Sequence, residues 1–460
     1  MSQLESQSGS ALGAYSENQT VVVQEQPRTA TPDGGYGWIV TLCVAVVNAH
    51  SWGVNAAYSV FLAYHLKNDT FPGVGPFEYA LVGSLSIGCT LLLSPLVTMF
   101  VRAVGTRPTM VCGALLQSVS LICASISTGF WQLLLSQGAL FGIGMGLMFL
   151  PSYGIVSQWF TKRRALANGA AIAGAGLGGL TYSLSASAMI GSLGLAWTLR
   201  NLSIITFVVN TVAILLIKTR YESIGSRQLA FDFTLLKRME YIALLVFGSL
   251  SMLGYFVLVF TLANYANEIG LDDSQAAVIP ALFMLGQALG RPLIGYFGDS
   301  FGRFNLATLM TLLTGVFALS IWINAKTYGL LIFFALVEGT VGGVFWVLAA
   351  PVMAEIIGIE NLPSGLSIFW VVLAIPSIAS APVALQIVAK SGSYVCAQIF
   401  TGVVFIVAGL CMGLLRGWRI SQNATQRSER TMYRTDAVTE EAQLGHPKRF
   451  VRACFRTQII

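Results

Sequence analysis

The chain has 460 residues, of which 55% are apolar and only 10% are charged, and its mean hydropathy is +0.72. A soluble domain carries about 25% charged residues, so this chain has too few charges to cover a water-facing surface. The composition excludes soluble, secreted and disordered classes and predicts a protein that crosses the membrane many times. The formal net charge of +6 is small for this length and does not indicate a nucleic-acid partner.

Apolar windows of about 20 residues, the length of helix that crosses the hydrocarbon core, occur twelve times along the chain. The windows cover approximately 38–64, 78–101, 107–128, 131–155, 165–190, 196–217, 241–266, 274–297, 304–324, 328–355, 364–389 and 393–415. Residues 1–36 hold no apolar core preceded by basic residues, so we expect no cleavable signal peptide. The predicted fold class is an all-α membrane protein with twelve transmembrane helices.

A charged connection divides the windows into two sets of six, and we expect five regions along the chain. They are a disordered cytosolic tail (1–36), a six-helix bundle (37–217), a cytosolic linker (218–240), a second six-helix bundle (241–416) and a basic cytosolic tail (417–460). The basic tail suits either the anionic inner leaflet of a membrane or plain solvation. Two pseudo-symmetric bundles joined in this way are typical of transporters with a site at the membrane midplane.

The orientation follows from Lys and Arg in the short loops, because these residues accumulate on the cytosolic side. With a cytosolic N-terminus, eleven such residues lie inside: Arg102, Arg107, Lys162, Arg163, Arg164, Lys218, Arg220, Arg227, Lys237, Arg238 and Arg303. Only Lys67, Lys326 and Lys390 then lie outside. We therefore expect both termini in the cytosol. The sequon that begins at Asn68 then lies in the first outer loop, where we expect glycosylation.

A short motif of glycines and charges follows the eighth window and includes Gly295, Asp299, Gly302 and Arg303. The motif resembles the cytosolic signature of the major facilitator superfamily. Its glycines permit a tight turn, and its charges can bond to neighbouring helix ends and hold the inner face shut. The equivalent place in the first half has Arg102 where an acid is expected, so that copy is degraded. The alternative interpretation of either copy is a solvated basic turn.

Two further stretches are similar to the signatures of the monocarboxylate porter family. The first precedes the first window: Asp33, Gly34, Gly35, Tyr36, Gly37 and Trp38. The second leads into the fifth window and includes Phe160, Lys162, Arg163, Arg164 and Gly169. The resemblance covers residues 33 to about 416 and looks most like the fungal members. It implies the major facilitator fold and transport of an organic acid.

Arg291 is an isolated cation in the eighth window, which contains no acid. A guanidinium cannot lose its charge, so it must face water, an acid elsewhere or an anionic substrate. In the family, an Asp stands four residues before this Arg and acts with it in binding carboxylate and proton. Here that position is Gln287. Pairing of Arg291 with Glu338, or snorkelling towards the cytosol, are the alternatives to a substrate site.

Family members that carry lactate-type acids also have a Lys near the end of the first window, and here that position is Ala56. With the Lys and the Asp both replaced, we expect a substrate other than lactate or pyruvate. A larger organic anion with neutral hydrogen-bonding groups suits Asn55, His50 and Trp52 of the first window. His50 is also a candidate proton carrier, although a lone His in a helix is more often neutral and hydrogen-bonded.

Glu338, in the tenth window, is the second candidate for proton coupling. Burial favours its protonated form, whereas a cationic partner such as Arg291 favours the ionised form. The residues alone do not choose between these two states.

The sequence therefore predicts a secondary active or facilitative transporter of an organic acid that works by alternating access. The alternatives are an exporter of a secondary metabolite and a transport-inactive sensor. No metalloprotease, zinc or nucleophile-elbow motif is present, so we expect neither an enzyme nor a cofactor or metal. The expected partners are the organic anion, a proton and membrane lipids, with no nucleic acid. We expect a monomer in the plasma membrane, with the vacuolar or another internal membrane as the alternative.

Overall fold

The computed structural model describes residues 33–226 and 228–432, and these residues form helices joined by short turns. Among the described residues, twelve long helical segments follow one another, six on each side of a connection formed by residues 217–238. The connection itself holds two short helices, Tyr221–Ile224 and Leu235–Lys237. Each long segment coincides with one of the predicted windows. The predictions made for residues 1–32 and 433–460 lie outside the described part of the chain.

The first six segments form the N-terminal half, and two of them are interrupted. They are α1 (Tyr36–Ala56, continuing as Tyr58–Lys67), α2 (Pro76–Leu92 and Ser94–Val104), α3 (Thr106–Ser125), α4 (Phe130–Gln158), α5 (Arg164–Leu193) and α6 (Leu195–Leu216).

The last six segments form the C-terminal half. They are α7 (Met239–Glu268), α8 (Asp273–Phe301), α9 (Arg303–Phe317, continuing as Ala318–Trp322), α10 (Tyr328–Gly342 and Val344–Ile357), α11 (Leu362–Ser391) and α12 (Val395–Met432). The last helix runs past residue 416, where the sequence predicts the start of the tail.

Ten of the segments in the described chain are each long and apolar enough to cross a membrane, and the two parts of α2 make an eleventh. The parts of α2 meet at 50°, and Pro95 stands in the first turn of the second part. Proline has no backbone N–H to continue the helical ladder, which accounts for a bend here. The twelfth segment, α5, is rich in Gly, Ala and Ser, so its length suffices but its hydropathy is lower.

Two helix starts outside the apolar stretches are capped by side chains. The Glu78 carboxylate accepts the Gly75 backbone N–H at 2.9 Å at the start of α2. At the start of α8, Asp272 accepts the Gln275 backbone N–H at 2.8 Å and the Ser274 hydroxyl at 2.7 Å. The Ser274 hydroxyl and the Gln275 N–H hold the pKa of Asp272 below its usual range, because both favour the ionised carboxylate.

The glycines of α5 let this helix approach α1 at backbone distance. A Cβ added to Gly174 would overlap the Ala45 carbonyl, and one added to Gly178 would overlap the Ala49 carbonyl. A Cβ added to Gly53 of α1 would stand 2.7 Å from the Gly178 backbone. Small residues on facing helices are the usual device for close packing within membranes.

The same helix also packs against α8 of the other half, so α5 lies on a seam between the halves. A Cβ on Gly176 would stand 2.8 Å from the Met284 carbonyl, and one on Gly169 would overlap the carbonyl of Arg291. A second seam joins α2 to α11, where a Cβ on Gly88 would stand 2.7 Å from the Ile378 side chain.

The connection between the halves contacts both of them at one end of the bundle. The Arg220 backbone N–H donates to the Gln158 side chain of α4 at 2.8 Å. On the other half, the Leu229 N–H donates to the Ser364 hydroxyl at 3.0 Å, and the Ser367 hydroxyl donates to the Ala230 carbonyl at 2.7 Å. We call this the linker end of the molecule.

Candidate functional site

A cavity of about 510 Å³ lies between the two halves. Its walls come from α1, α2, α4 and α5 of the first half and from α7, α8, α10, α11 and the turn before α12 of the second. Buried residues such as Asn48 and Phe149 line one part, and exposed residues such as Ser59, Asn264 and Ala389 line the other. The exposed part lies near the ends of α1, α7 and α11, so the cavity opens away from the linker end.

Arg291 of α8 lines this cavity and is only 3% exposed. One terminal nitrogen of its guanidinium donates to the Ile172 carbonyl of α5 at 2.7 Å, and the other donates to the Gln287 side-chain oxygen. The Nε of Arg291 has no hydrogen-bond partner within the described residues. Within the described residues no carboxylate forms an ion pair with Arg291, and Asp299 and Glu355 pair with Arg303 instead.

Gln287, at the position of the family's Asp, also lines the cavity and is buried. Its amide nitrogen donates to the Tyr255 hydroxyl at 2.9 Å. Arg291, Gln287 and Tyr255 therefore form one hydrogen-bonded cluster whose only full charge is the guanidinium. The sequence analysis did not single out Tyr255, because a Tyr in an apolar helix carries no signal of which way it faces.

The first helix supplies two of its three predicted site residues to the cavity. Asn55 and Trp52 line it, and the Asn55 side-chain oxygen accepts the Ser86 hydroxyl at 2.7 Å. His50 does not line the cavity, and its Nδ1 lies 2.8 Å from the Val46 carbonyl of its own helix. Its ring is turned edge-on towards Tyr182 of α5, with 5.5 Å between ring centroids. The methyl group of Ala56 lines the cavity where the family implies a Lys.

Glu338 of α10 is 1% exposed and lies outside the cavity lining. Both of its carboxylate oxygens are buried without a hydrogen-bond partner among the described residues. A Cβ on Gly342 would stand 3.8 Å from both Glu338 Oε1 and the Thr314 methyl group, so the carboxyl group lies on the side of α10 that packs against α9. The structure therefore does not bring Glu338 to Arg291.

Charged and backbone contacts close the linker end of the bundle. Asp299 at the end of α8 accepts the backbone N–H groups of Ala165 at 3.1 Å and Leu166 at 2.9 Å, both at the start of α5 in the other half. Arg303 donates to Asp299 at 2.8 Å, to Glu355 and to the Thr161 carbonyl at 2.8 Å. An anion at a helix N-terminus is favoured by the unpaired N–H groups and the helix dipole.

The predicted glycines of this gate make the approach possible. A Cβ on Gly295 would overlap the Ala165 carbonyl, and Gly302 has a φ of 94°, a conformation that favours glycine, between α8 and α9. In the degraded copy, Arg102 is exposed and Arg107 donates to the Ile217 carbonyl at 2.8 Å.

The two stretches that resemble monocarboxylate-porter signatures lie against each other at the linker end. Asp33 accepts the backbone N–H groups of Thr161 at 2.6 Å and Lys162 at 2.9 Å. The Trp38 ring is edge-on to Phe160, with 4.9 Å between centroids. Gly37 permits this contact, since a Cβ there would stand 3.0 Å from the Phe160 ring.

The remaining signature residues have distinct positions. Gly35 has a φ of 59° and caps α1, following Gly34, and the Tyr36 hydroxyl donates to the Leu216 carbonyl at 2.8 Å. Lys162 and Arg163 are exposed, whereas Arg164 is buried and donates to the Phe160 carbonyl at 2.9 Å. Gly169 lies against the carbonyl of Arg291, so the second signature touches the backbone of the cavity's cation.

Solved structures with a similar fold include two crystal structures of FucP. The first, the Escherichia coli fucose:proton symporter, has a TM-score of 0.66 at 13% identity and covers 83% of this chain and 98% of that chain. The second, FucP in the outward conformation, has a TM-score of 0.65 at 13% identity and covers 82% of this chain and 99% of that chain. This likeness confirms the predicted twelve-helix fold, that of a polytopic membrane protein.

A family model described as Major Facilitator Superfamily matches residues 40–247 and again residues 244–457. The chain belongs to the major facilitator superfamily and is a membrane transporter, not an enzyme.

Curated fungal relatives cover most of the chain. The probable transporter MCH2 of Saccharomyces cerevisiae is 30% identical over 85% of each chain. The uncharacterized transporter ESBP6 of the same yeast is 35% identical over 87% of this chain and 62% of its own length. The fujikurins efflux protein of Gibberella fujikuroi is 27% identical over 82% of each chain.

Proposed function

We propose that this protein is a secondary transporter that moves an organic anion through the membrane by alternating access. The observation that supports this proposal most is Arg291, a permanent cation that lines the cavity between the halves without a carboxylate partner in the described chain. Two neutral acceptors, the Ile172 carbonyl and Gln287, hold the guanidinium in place but leave its charge uncompensated. A carboxylate that enters the cavity supplies the missing charge.

The proposed substrate carries a carboxylate, as monocarboxylates do, but it is larger than the small acids of that class. Ala56 and Gln287 replace the Lys and the Asp that the resemblance to monocarboxylate porters implies for lactate-type acids. Both positions line the cavity, so the replacements act on the substrate directly. We infer a larger organic acid than lactate or pyruvate.

Transport by the purified full-length protein in liposomes tests the function. Uptake or counterflow of a panel of organic acids is measured with and without a pH gradient. In Arg291→Gln, transport of an anionic substrate falls by about thirtyfold or more, because a buried charge partner is worth at least about 2 kcal/mol. Arg102→Gln, at an exposed arginine outside the cavity, is the matched control. Full transport by Arg291→Gln would contradict the proposal.

Proton coupling is the finer part of the proposal, and Glu338 carries it. A carboxyl group that is 1% exposed and has no hydrogen-bond donor among the described residues is tolerated mainly in its neutral form. Glu338 then takes up a proton when the packing of α9 and α10 opens to one side and releases it on the other. His50, with its ring held by its own helix, is not part of this proposal.

We also propose that the linker end faces the cytosol, with both termini inside, in the plasma membrane. The cavity then opens to the outside, and the exposed Asn68 in the turn after α1 is available for glycosylation. When the protein is expressed in a fungal host, we expect treatment with a glycosidase to increase its electrophoretic mobility. In Asn68→Gln, we expect the glycosidase to cause no such shift. A second sequon begins at Asn18, in the stretch before the first window. A shift that persists in Asn68→Gln and vanishes in Asn18→Gln would reverse the orientation.

The second candidate function is export of a secondary metabolite. The fujikurins efflux protein is a relative over 82% of the chain, and a substrate of that kind suits the large cavity. A proton gradient that drives the panel into inside-out vesicles rather than into right-side-out vesicles favours export. A transport-inactive sensor is the remaining alternative, and it binds a ligand without counterflow. For each of these functions we propose a monomer as the working unit.

A further inference from the structure

Aromatic rings from both halves line one side of the cavity. The indole of Trp52 is edge-on to the Phe149 ring, with 5.2 Å between centroids, and to the Trp346 ring, with 5.3 Å. The Tyr255 ring stands 6.1 Å from the Trp346 ring. All four residues line the cavity, and we call them the aromatic wall. Phe149 and Trp346 are nearly fully buried, whereas Trp52 is partly exposed, so its ring is available to a ligand.

Polar atoms without partners lie beside this wall. Asn48 of α1 donates to the Ala171 carbonyl, and Arg291 of α8 donates to the next carbonyl, that of Ile172, so the two side chains meet α5 at the same depth. Asn48 Oδ1, Arg291 Nε and Trp52 Nε1 are buried and have no hydrogen-bond partner within the described residues. Orphaned polar atoms on three residues that line one cavity are the pattern expected where a ligand supplies the partners.

The cavity volume of about 510 Å³ lies within the range of pockets that hold drug-sized molecules, roughly 300–1,000 Å³. A three-carbon acid at Arg291 would leave most of this volume, and most of the aromatic wall, in contact with water. A larger apolar body that covers the wall gains free energy from the surface it removes from water and from ring contacts.

We propose that the substrate is an amphipathic organic acid of drug-like size, whose carboxylate binds Arg291 while its ring-bearing body packs on the aromatic wall. This inference rests on the proposed function, and it adds the substrate class and the residues that select it. Trp52 is the main selectivity residue, because it belongs to the wall, carries an unpaired N–H and is reachable from the open end.

Binding of a graded series of ligands tests this inference on the purified full-length protein. The probes are acetate, phenylacetate and 1-naphthylacetate, each compared with its primary amide. Binding is measured by calorimetry. The free concentration of each probe is determined by equilibrium dialysis against the detergent alone, because apolar probes also enter the micelles. We expect the affinity of the acids to rise by about tenfold or more from acetate to phenylacetate and to rise again with the second ring, because each ring buries apolar surface. Each acid binds more tightly than its amide.

Trp52→Ala lowers the ratio of 1-naphthylacetate to acetate affinity by about two- to tenfold, the worth of one aromatic contact. The ratio is measured within each variant, so partial misfolding cancels. Trp52→Phe keeps most of the ratio, and Trp131→Ala, at an exposed tryptophan outside the cavity, leaves it unchanged.

The outcomes separate the two proposals. Equal affinity along the series, or a ratio that survives Trp52→Ala, overturns the amphipathic substrate class, while a preference of the acids over their amides still supports anion transport. If affinity rises with the number of rings but each acid binds no more tightly than its amide, the proposal of anion transport is overturned and an uncharged apolar substrate is indicated. Failure of every probe to bind overturns this inference.

Discussion

Arg291 belongs to the second half of the molecule, yet one of its two hydrogen-bond acceptors, the Ile172 carbonyl, belongs to the first. The other acceptor, Gln287, comes from its own helix. A movement of the halves against each other therefore changes the environment of the guanidinium directly. A bound carboxylate can take over when the Ile172 bond breaks, which lowers the cost of the movement for the loaded protein.

Replacement of Glu338 tests the proton step at the scale of one side chain. We expect Glu338→Gln, which resembles the protonated acid in shape, to remove the response of uptake to a pH gradient and to preserve exchange of substrate without a gradient. The buried amide replaces a carboxyl group that has no partner to lose among the described residues, so the protein folds. The measurement is the ratio of uptake with and without the gradient. An unchanged ratio in Glu338→Gln moves the proton site elsewhere.

Glu268→Gln is the matched control for this experiment. Glu268 ends α7 in a water-facing position, so its replacement leaves the ratio as it is in the original protein.

Some of the predicted residues line the cavity, and of these Arg291 was the most conspicuous in the sequence because charge in an apolar helix is rare. Arg291 was found as an isolated cation, and Asn55 and Trp52 line the cavity with it. The direction in which His50 faces was not predictable, because its helix is apolar on every side and gives no preferred face. Trp346 was missed for the same reason, since its neighbours in α10 are all apolar and buried.

At the scale of one element, α5 joins the two halves through its backbone. Its glycines face α1 at Gly174 and Gly178 and face α8 at Gly169 and Gly176. Side chains on either face would push the neighbours apart, because closely packed interiors have few places for an added atom. A helix with two such faces can slide or tilt against both partners without first separating large interlocked side chains, and this suits a seam that must move.

A methyl group placed on α5 tests this packing. Gly174→Ala puts a Cβ onto the Ala45 carbonyl, and we expect it to destabilise the protein by about 1–3 kcal/mol, the usual cost of overpacking. Gly191→Ala is the matched control in the same helix, because nothing lies within 4 Å of the added Cβ. The melting temperature of the purified protein falls in Gly174→Ala and not in Gly191→Ala. Equal melting temperatures would falsify the close contact between α1 and α5.

The helices themselves were predictable and their joints were not. Twelve apolar windows gave twelve helices, because a segment in hydrocarbon must satisfy its own backbone groups. The break in α1 at Ala57 was not predicted, since it depends on packing against neighbouring helices. The bend in α2 was not predicted either, although Pro95 in the first turn of its second part is a signal for it. The end of α12 at Met432 also lies beyond its window, because a helix can continue after its apolar residues end.

At the scale of the whole molecule, one end of the cavity is open and the other is sealed. The seal at the linker end includes more than Asp299 and Arg303. The Asn168 side chain of α5 donates to the Val347 carbonyl at 2.7 Å, and the Tyr153 hydroxyl of α4 donates to the Trp346 carbonyl at 2.8 Å. These bonds cross between the halves just beyond the aromatic wall, so the opening of this end must break them together.

Loss of charge at Asp299 tests the seal. An amide keeps one acceptor but not the charge, and charged hydrogen bonds are worth about 1.5–3 kcal/mol, so we expect Asp299→Asn to shift the closed-to-open ratio by about tenfold. Spin labels at the exposed Lys162 and Ser300, in a chain without native cysteines, report the distance across this end. The fraction of long distances rises in Asp299→Asn.

Arg102→Gln, at the equivalent place in the first half, leaves the distance distribution unchanged. If Asp299→Asn gave the same distance distribution as the original protein, the contact of Asp299 with α5 would not contribute to closing the linker end.

The two seams at the linker end are held by different chemistry, and this difference bears on how the protein can evolve. At the start of α5, a backbone N–H donates to Asp299 of the opposite half. At the start of α11, the side chains of Ser364 and Ser367 form hydrogen bonds with the linker backbone at Leu229 and Ala230. The linker occupies the place where the mirror-image acid would act, which explains how Arg102 can be tolerated. We therefore expect substitutions at Arg102 to be tolerated more readily than changes that displace the backbone of Leu229 and Ala230.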